Sequence, residues 1–501
     1  MQIMKFIQKS ILFFLLAATL FSCEKLQDIN VNPNNAPETH PKLLLKDIAW
    51  NAFNGQGTGS MFASRVMVSS DGASNEQYYT WDRDNFDRYN QLRNITKMME
   101  EADKQGTPEY TYLAHFFRAY QFYELTRRFG DVPYSDALKG ETDGVYAPKY
   151  DEQSKIIPAL LDELKAANEG LKSVTYIDGD IIYGGDPMKW RRLINSFRLR
   201  ILMNLSNRAN DATLDISARF QNIYQNEPLI GSIDDAGQLV YLDQKGSRYF
   251  EFLGKFGSVG MDSTFVQLLK DRQDPRLFVF CQPNPNAVST GLPVNDFDAY
   301  GGADPTLTFG AISDERNKGY VSMVNPRYFD GPVNEPHKLM GYEELQFILA
   351  EATVRGWIEG GDLAKVKAFY NEGIKASFLF YRKYAANYAS YLGDDAIAEY
   401  LNQPMVNFDN ATTFDERIRY IITQKYIQFY FQTGWEQFYN HRRTGYPKFL
   451  TGGAVGNNGQ VPVRWMYPED EYNTNAANVQ DAVARQFNGD DNINGKMWLL
   501  K

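Results

Sequence analysis

The chain has 501 residues, with 52 Lys and Arg against 62 Asp and Glu and a formal net charge of -10. That sign excludes a generic nucleic-acid binder, which needs a basic footprint to neutralise phosphates. With 43% hydrophobic and 23% charged residues, wholesale disorder is excluded as well. Aromatic content is high, at 33 Phe, 32 Tyr and 7 Trp. So much Tyr points to half-wet positions such as interfaces and ligand-facing loops.

At the amino end, Lys5 and Lys9 accompany an eleven-residue apolar run from Ile11 to Phe21. A bilayer needs about 20 such residues, so the run fits the h-region of a signal peptide instead. Leu20-Phe21-Ser22-Cys23 then resembles a bacterial lipobox, although Phe21 is larger than the usual residue there. The competing reading is a plain secretory signal with an incidental cysteine. On the lipobox reading, residues 1–22 are removed and Cys23 becomes the lipid-attachment residue, carrying fatty acids such as palmitate. Each buried CH2 then contributes about 0.8 kcal/mol, and two or more chains anchor stably. Removing residues 1–22 removes Lys5 and Lys9 and no acid, so the charge becomes -12 (50 minus 62). No later apolar run reaches membrane-spanning length. Cys281 is then left without a disulfide partner and is expected to be a small buried hydrophobe.

Residues 23–41 read as a polar leader rich in Asn and Pro. Helical patterns follow at 42–54, 60–70 and 86–105. In 109–128, Tyr112, Phe116, Ala119 and Tyr123 recur at helical spacing, Gly130 stops the pattern and Pro133 follows. Ile156, Leu160, Leu161 and Leu164 mark a helix at 151–170. After Pro187, the residues Trp190, Ile194, Phe197, Ile201 and Leu205 form one apolar face. Lys189, Arg191, Arg192, Arg198, Arg200 and Arg208 flank it. They read as a solvated face with apolar stems on the scaffold, the other reading being a patch for an acidic partner. A helix at 214–226 completes that pair. Residues 228–337 are rich in Gly and Pro and read as loops with short strands and a short helix at 262–271. Helices resume at 341–357 and 362–380, then at 414–432 and 434–441. The Gly- and Asn-rich 451–460 reads as an exposed loop or hairpin tip, within an irregular tail over 451–501.

Successive helix pairs predict an all-α fold, tetratricopeptide-like in its stacking, with a loop-rich irregular cap. Several segments carry a more specific resemblance. They are Arg118-Ala119-Tyr120 with Arg128-Phe129-Gly130-Asp131-Val132-Pro133-Tyr134, Pro187-Met188-Lys189-Trp190 with Asn195-Ser196-Phe197-Arg198, and Leu349-Ala350-Glu351-Ala352. Gln424-Lys425-Tyr426, Gly434-Trp435-Glu436 and Arg442-Arg443-Thr444-Gly445 follow in order. Together they resemble the SusD/RagB family of outer-membrane nutrient-binding lipoproteins, in its second subgroup. The resemblance implies a single SusD-like domain over 42–501, with helix pairs over 109–226 and 341–441. It implies a lipid-anchored, surface-exposed protein that is not an enzyme. Its partners would be a glycan or peptide ligand and a SusC-like TonB-dependent barrel transporter, for which it acts as a lid.

The residues show little catalytic chemistry. His40, His115, His337 and His441 form no H-E-x-x-H pattern, and there is no G-x-S-x-G elbow or Walker A loop. Asp490 to Gly495 match the opening of an EF-hand loop, but Lys501 stands where a bidentate Glu is needed, so the segment reads as a turn. No metal or cofactor is implied. The alternatives are a lipid-anchored glycan hydrolase and a helical-repeat scaffold that binds protein only.

Sugars offer hydroxyls and an apolar C–H face, so aromatic residues beside Asp, Asn or Arg in loops are the candidate ligand-binding residues. Three constellations stand out: Tyr78, Tyr79, Trp81 and Asp82; Arg248 and Tyr249; and Phe297-Asp298-Ala299-Tyr300. Trp81 leads, because an exposed loop Trp is costly unless used. Packing within the cap or contact with the transporter is the competing reading for each.

Overall fold

The computed structural model describes residues 39–501 apart from 56 and 255–258. The signal segment, Cys23 and nearly all of the leader lie outside the described residues. Helix α1 spans Pro41–Phe53, with His40 Nδ1 accepting from Lys42 N and a Pro at the first helical position. A short helix, Gly59–Ala63, leads to strand β1, Met67–Ser69. Then come α2 (Arg88–Gln105), α3 (Pro108–Phe129), α4 (Gln153–Gly170), α5 (Pro187–Asn204) and α6 (Ile216–Asn226). The next stretch holds β2 (Gly237–Leu239), β3 (Val259–Met261), α7 (Ser263–Lys270) and β4 (His337–Met340). The scaffold resumes with α8 (Tyr342–Val354), α9 (Leu363–Tyr384), α10 (Asp394–Leu401), α11 (Phe414–Gln428) and α12 (Glu436–Thr444). Helix α13, Ala476–Phe487, lies near the carboxyl end.

The fold is all-α, with helix pairs stacked in the tetratricopeptide-like manner beneath a loop-rich cap. Helices α1 to α5 pack each on the next, α5 meets α8, and α8 packs on α9 and α11. The apolar face of α5 explains its place: Trp190, Ile194, Phe197 and Ile201 are all fully buried. Its start is fixed by Asp186, whose carboxylate accepts from Met188 N and Lys189 N ahead of the free first turn. Thr413 and Glu416 close a capping box on α11. Helices α8 and α9 approach closely because Gly373 leaves room for the Phe347 ring; a Cβ there would sit 2.7 Å from its Cε1.

Two antiparallel ribbons of two strands, β1 with β3 and β2 with β4, tie the amino-terminal third to the cap and the cap to the second helical half. One consequence is a correction to the helix expected over 60–70. It stops at Ala63, Arg65 takes a left-handed φ of 58°, and Met67–Ser69 run as a strand. Val66 and Val68 favour that pleated state, and Met67 pairs with Met261. The tail over 451–501 also differs from an irregular one. It contains the short helix Glu469–Thr474 and α13, whose Val479, Ala482, Val483 and Phe487 recur at helical spacing and are buried. Residues 451–460 form a loop with a single 3-10 turn, Asn457–Gly459. Among the described residues no helix is long and apolar enough to cross a membrane.

Candidate functional site

A cleft opens in the cap where the segment after α7 meets α10 and the turn that precedes it. Its lining includes Gln273, Phe278, Asn295, Phe297, Tyr391 and Glu399. One compartment measures about 200 Å³ and an adjoining one about 420 Å³, sharing Gln273, Asn295 and Phe297. Together they fall within the roughly 300–1,000 Å³ of ligand clefts.

Local geometry holds the lining in place. Phe297 begins a 3-10 turn that Asp296 caps by accepting from Asp298 N at 2.8 Å. Its ring packs on Phe278 at 4.9 Å, and Tyr391 meets the same Phe278 edge-on at 5.5 Å. Behind them Tyr400 is bound to Gln424 and to Arg276, whose guanidinium is paired with Asp274 in the core. Gln273 sits at φ +50°, a left-handed conformation that costs a non-glycine residue, and it stands at the cleft. Half-buried Phe297 and Tyr391 present ring surface. Among the described residues the side chains of Asn295, Glu399 and Tyr391 spend no hydrogen bond on the protein. Apolar ring faces beside unspent amide, carboxylate and phenol groups suit a polyhydroxylated ligand with a C–H face.

The sequence-predicted residues fall elsewhere, with one exception. Trp81 does not stand exposed in a loop: it is 6% exposed, stacks on Trp465 at 5.2 Å and donates from Nε1 to Arg464 O at 3.1 Å. Tyr79 is fully buried and donates to Ala63 O, and Tyr78 is buried with its hydroxyl on Leu307 O. Asp82 is exposed, but its carboxylate caps Arg83 N, and Arg83 is held by Asp491 and Glu469. The loop therefore fastens the carboxyl-terminal segment to the body. Asp491 also accepts from Arg464 and Tyr472, so the EF-hand-like segment folds as a turn around a carboxylate already taken. Arg248 is exposed and paired with Asp243, while Tyr249 is buried against Tyr241. Tyr300 is buried too, donating to Val294 O at 2.7 Å and packing on Phe278. It backs the cleft, and Phe297 of the same constellation faces it.

Residues 33–468 match the SusD-like_2 family, "Starch-binding associating with outer membrane". The chain belongs to this family. A SusD homologue of Bacteroides fragilis is 46% identical, with a TM-score of 0.87 over 93% of this chain and 100% of its own. An outer membrane protein of Bacteroides vulgatus, for which nutrient binding is the suggested role, is 45% identical with a TM-score of 0.87 over 92% and 100%. A second SusD homologue of Bacteroides fragilis is 30% identical with a TM-score of 0.86 over 92% and 100%. No curated protein matches the chain. SusD-like proteins are nutrient-binding proteins associated with the outer membrane, and this chain is one of them.

The charges that dominate the SusD-like scaffold serve its core. The cations flanking α5 do not share one solvated face: Lys189 and Arg192 stay about a third exposed, whereas Arg198 and Arg200 are buried. Arg200 is 2% exposed and donates from Nε to Glu344 at 2.8 Å, with Glu436 nearby. Arg127 joins Glu124 and Glu436, and Arg443 holds Glu351. Burial alone would raise Glu351, but Arg443 and Arg355 outweigh it and hold its pKa at about 2. A cavity of about 20 Å³ beside Glu124, Arg200 and Glu436 has room for one water and not for a nutrient. Cys281 is a fully buried hydrophobe, its thiol pKa pushed up by burial.

Proposed function

We propose that the protein is a lipid-anchored, surface-exposed lid that binds an oligosaccharide in the cap cleft and delivers it to a SusC-like TonB-dependent barrel transporter, making and breaking no bond. The observation that carries this reading is the cleft itself: the half-exposed rings of Phe297 and Tyr391 beside the unspent groups of Asn295 and Glu399, in a chain of a starch-binding, outer-membrane-associated family. Rings stack on the C–H face of a sugar, and the polar groups fix its hydroxyls. The nutrient-binding role suggested for the Bacteroides vulgatus relative supports the same reading. Cys23, after removal of residues 1–22, would carry the lipid. Calorimetric titration of the chain from Glu24 onward against neutral oligosaccharides and peptides tests the binding. Saturable oligosaccharide binding is expected, with the sugar recovered unchanged. Turnover of the sugar, or saturable binding of peptides alone, would contradict it. For the anchor, Cys23→Ser should move the protein from the membrane fraction to the medium; an unmodified Cys23 in the wild type contradicts the lipid.

A further inference from the structure

Of the six cations flanking α5, five are matched by acids: Lys189 and Arg192 by Asp235, Arg191 by Glu227, Arg200 by Glu344 and Arg208 by Asp211. Arg198 is not. Its Nη1 donates to Asn195 Oδ1 at 2.9 Å, and its Nε is buried without a partner. The residue is only 9% exposed, and among the described residues it makes no ion pair. A buried cation in that state bears a desolvation penalty that no carboxylate in contact offsets. Burial pulls its pKa below the ordinary arginine value; Glu227 and Glu169 oppose the shift, and Arg219 adds to it.

Arg198 lines a groove of about 400 Å³ between α4, α5 and α6, on the helical scaffold and built from none of the cap cleft's residues. Leu161, Leu202 and Ile223 supply its buried apolar lining. Lys165 and Arg219 stand at its exposed rim with Asp162 and Asp215, and none of these four side chains is engaged in an ion pair or hydrogen bond among the described residues. Three cations face two acids, so the groove is net positive.

We propose that this groove is a second binding site, which takes the carboxylate of an acidic sugar on Arg198. The guanidinium offers charge-assisted hydrogen bonds, the strongest kind a side chain can give to a carboxylate. Arg219 and Lys165 add charge from the rim. Asp162 and Asp215 accept from the sugar hydroxyls, and the apolar lining meets its C–H face. An inorganic anion would satisfy Arg198 but leave the lining and both rim acids unused. The site needs nothing from the cap cleft, so it stands or falls separately.

Calorimetry on the full chain in detergent tests it, with trigalacturonate, neutral maltotriose and sodium sulfate as probes. Trigalacturonate should bind, with its Kd raised at least tenfold by Arg198→Met and at least threefold by Arg219→Gln. Arg219 is exposed, so its variant remains informative even if Arg198→Met fails to fold. Absence of trigalacturonate binding, binding of sulfate alone, or an affinity indifferent to Arg219→Gln would overturn the proposal. A failure of the cap cleft would show instead as loss of every neutral oligosaccharide response.

Discussion

Arg200, Glu344, Arg127 and Glu436 lie almost wholly buried where α3, α5, α8 and α12 meet, each bonded to a partner. Asn295, Tyr391 and Glu399 stand in the cap cleft with their polar groups unspent. The Trp81 box and the Phe297 cleft differ in the same way. Trp81 meets Tyr79, Trp435, Phe438 and Trp465 on several sides, whereas Phe297 has the protein on one side and solvent on the other. Residue type does not separate structure from function in this molecule. What separates them is whether the hydrogen-bonding capacity and ring surface are already consumed.

Breaking a scaffold pair should therefore cost stability and leave ligand affinity intact. Glu344→Ala removes the carboxylate that accepts from both Nε and Nη2 of buried Arg200, and is expected to destabilise by about 3–5 kcal/mol in urea denaturation. A loss below about 1 kcal/mol would mean that the buried charges are solvated. Trp81→Ala empties part of the aromatic box and removes the bond to Arg464 O. A loss of about 3–4 kcal/mol is expected, with oligosaccharide Kd unchanged for the folded fraction. A lost affinity without lost stability would return Trp81 to the ligand.

A smaller effect tests the junction between α1 and β4. His337 Nδ1 bonds Phe53 O at 2.7 Å, and burial lowers its pKa from 6.5 to about 4. The folded state thus holds the imidazole neutral while the unfolded chain protonates it first. Its stability contribution is complete above pH 6.5 and is lost as pH falls towards 4, by about 3 kcal/mol. Stability measured from pH 7 to pH 4 should fall less steeply in His337→Asn than in the wild type; parallel curves would show that His337 is hydrated. The smallest effect belongs to the exposed Lys42–Asp178 pair at 3.0 Å. Lys42→Ala should change stability by under about 1 kcal/mol, checked by the same denaturation.

The helical scaffold was legible because its signal is local. Trp190, Ile194, Phe197 and Ile201 announce the buried face of α5 within a few turns. The fate of its cations was not legible, because the partner of Arg200 lies 144 residues away on α8. Trp81 was misplaced for the same reason: the carbonyl it bonds is 383 residues further on. The cleft is assembled from residues 273–297 and 391–400, and no local pattern joins those two segments. The third aromatic constellation lies in the loop that lines the cleft, but Phe297 rather than Tyr300 is the ring that faces outward. Tyr391 carried one available signal, the repeated Tyr381, Tyr384, Tyr388 and Tyr391 running off the end of α9 as a half-wet aromatic stripe.

Whether the cap cleft grips an oligosaccharide is decided by calorimetric titration of that ligand against wild type, Phe297→Ala and Tyr391→Ala. Either substitution should weaken binding at least tenfold, about 1.4 kcal/mol, with the thermal midpoint nearly unchanged. Equal affinity in all three proteins would contradict it.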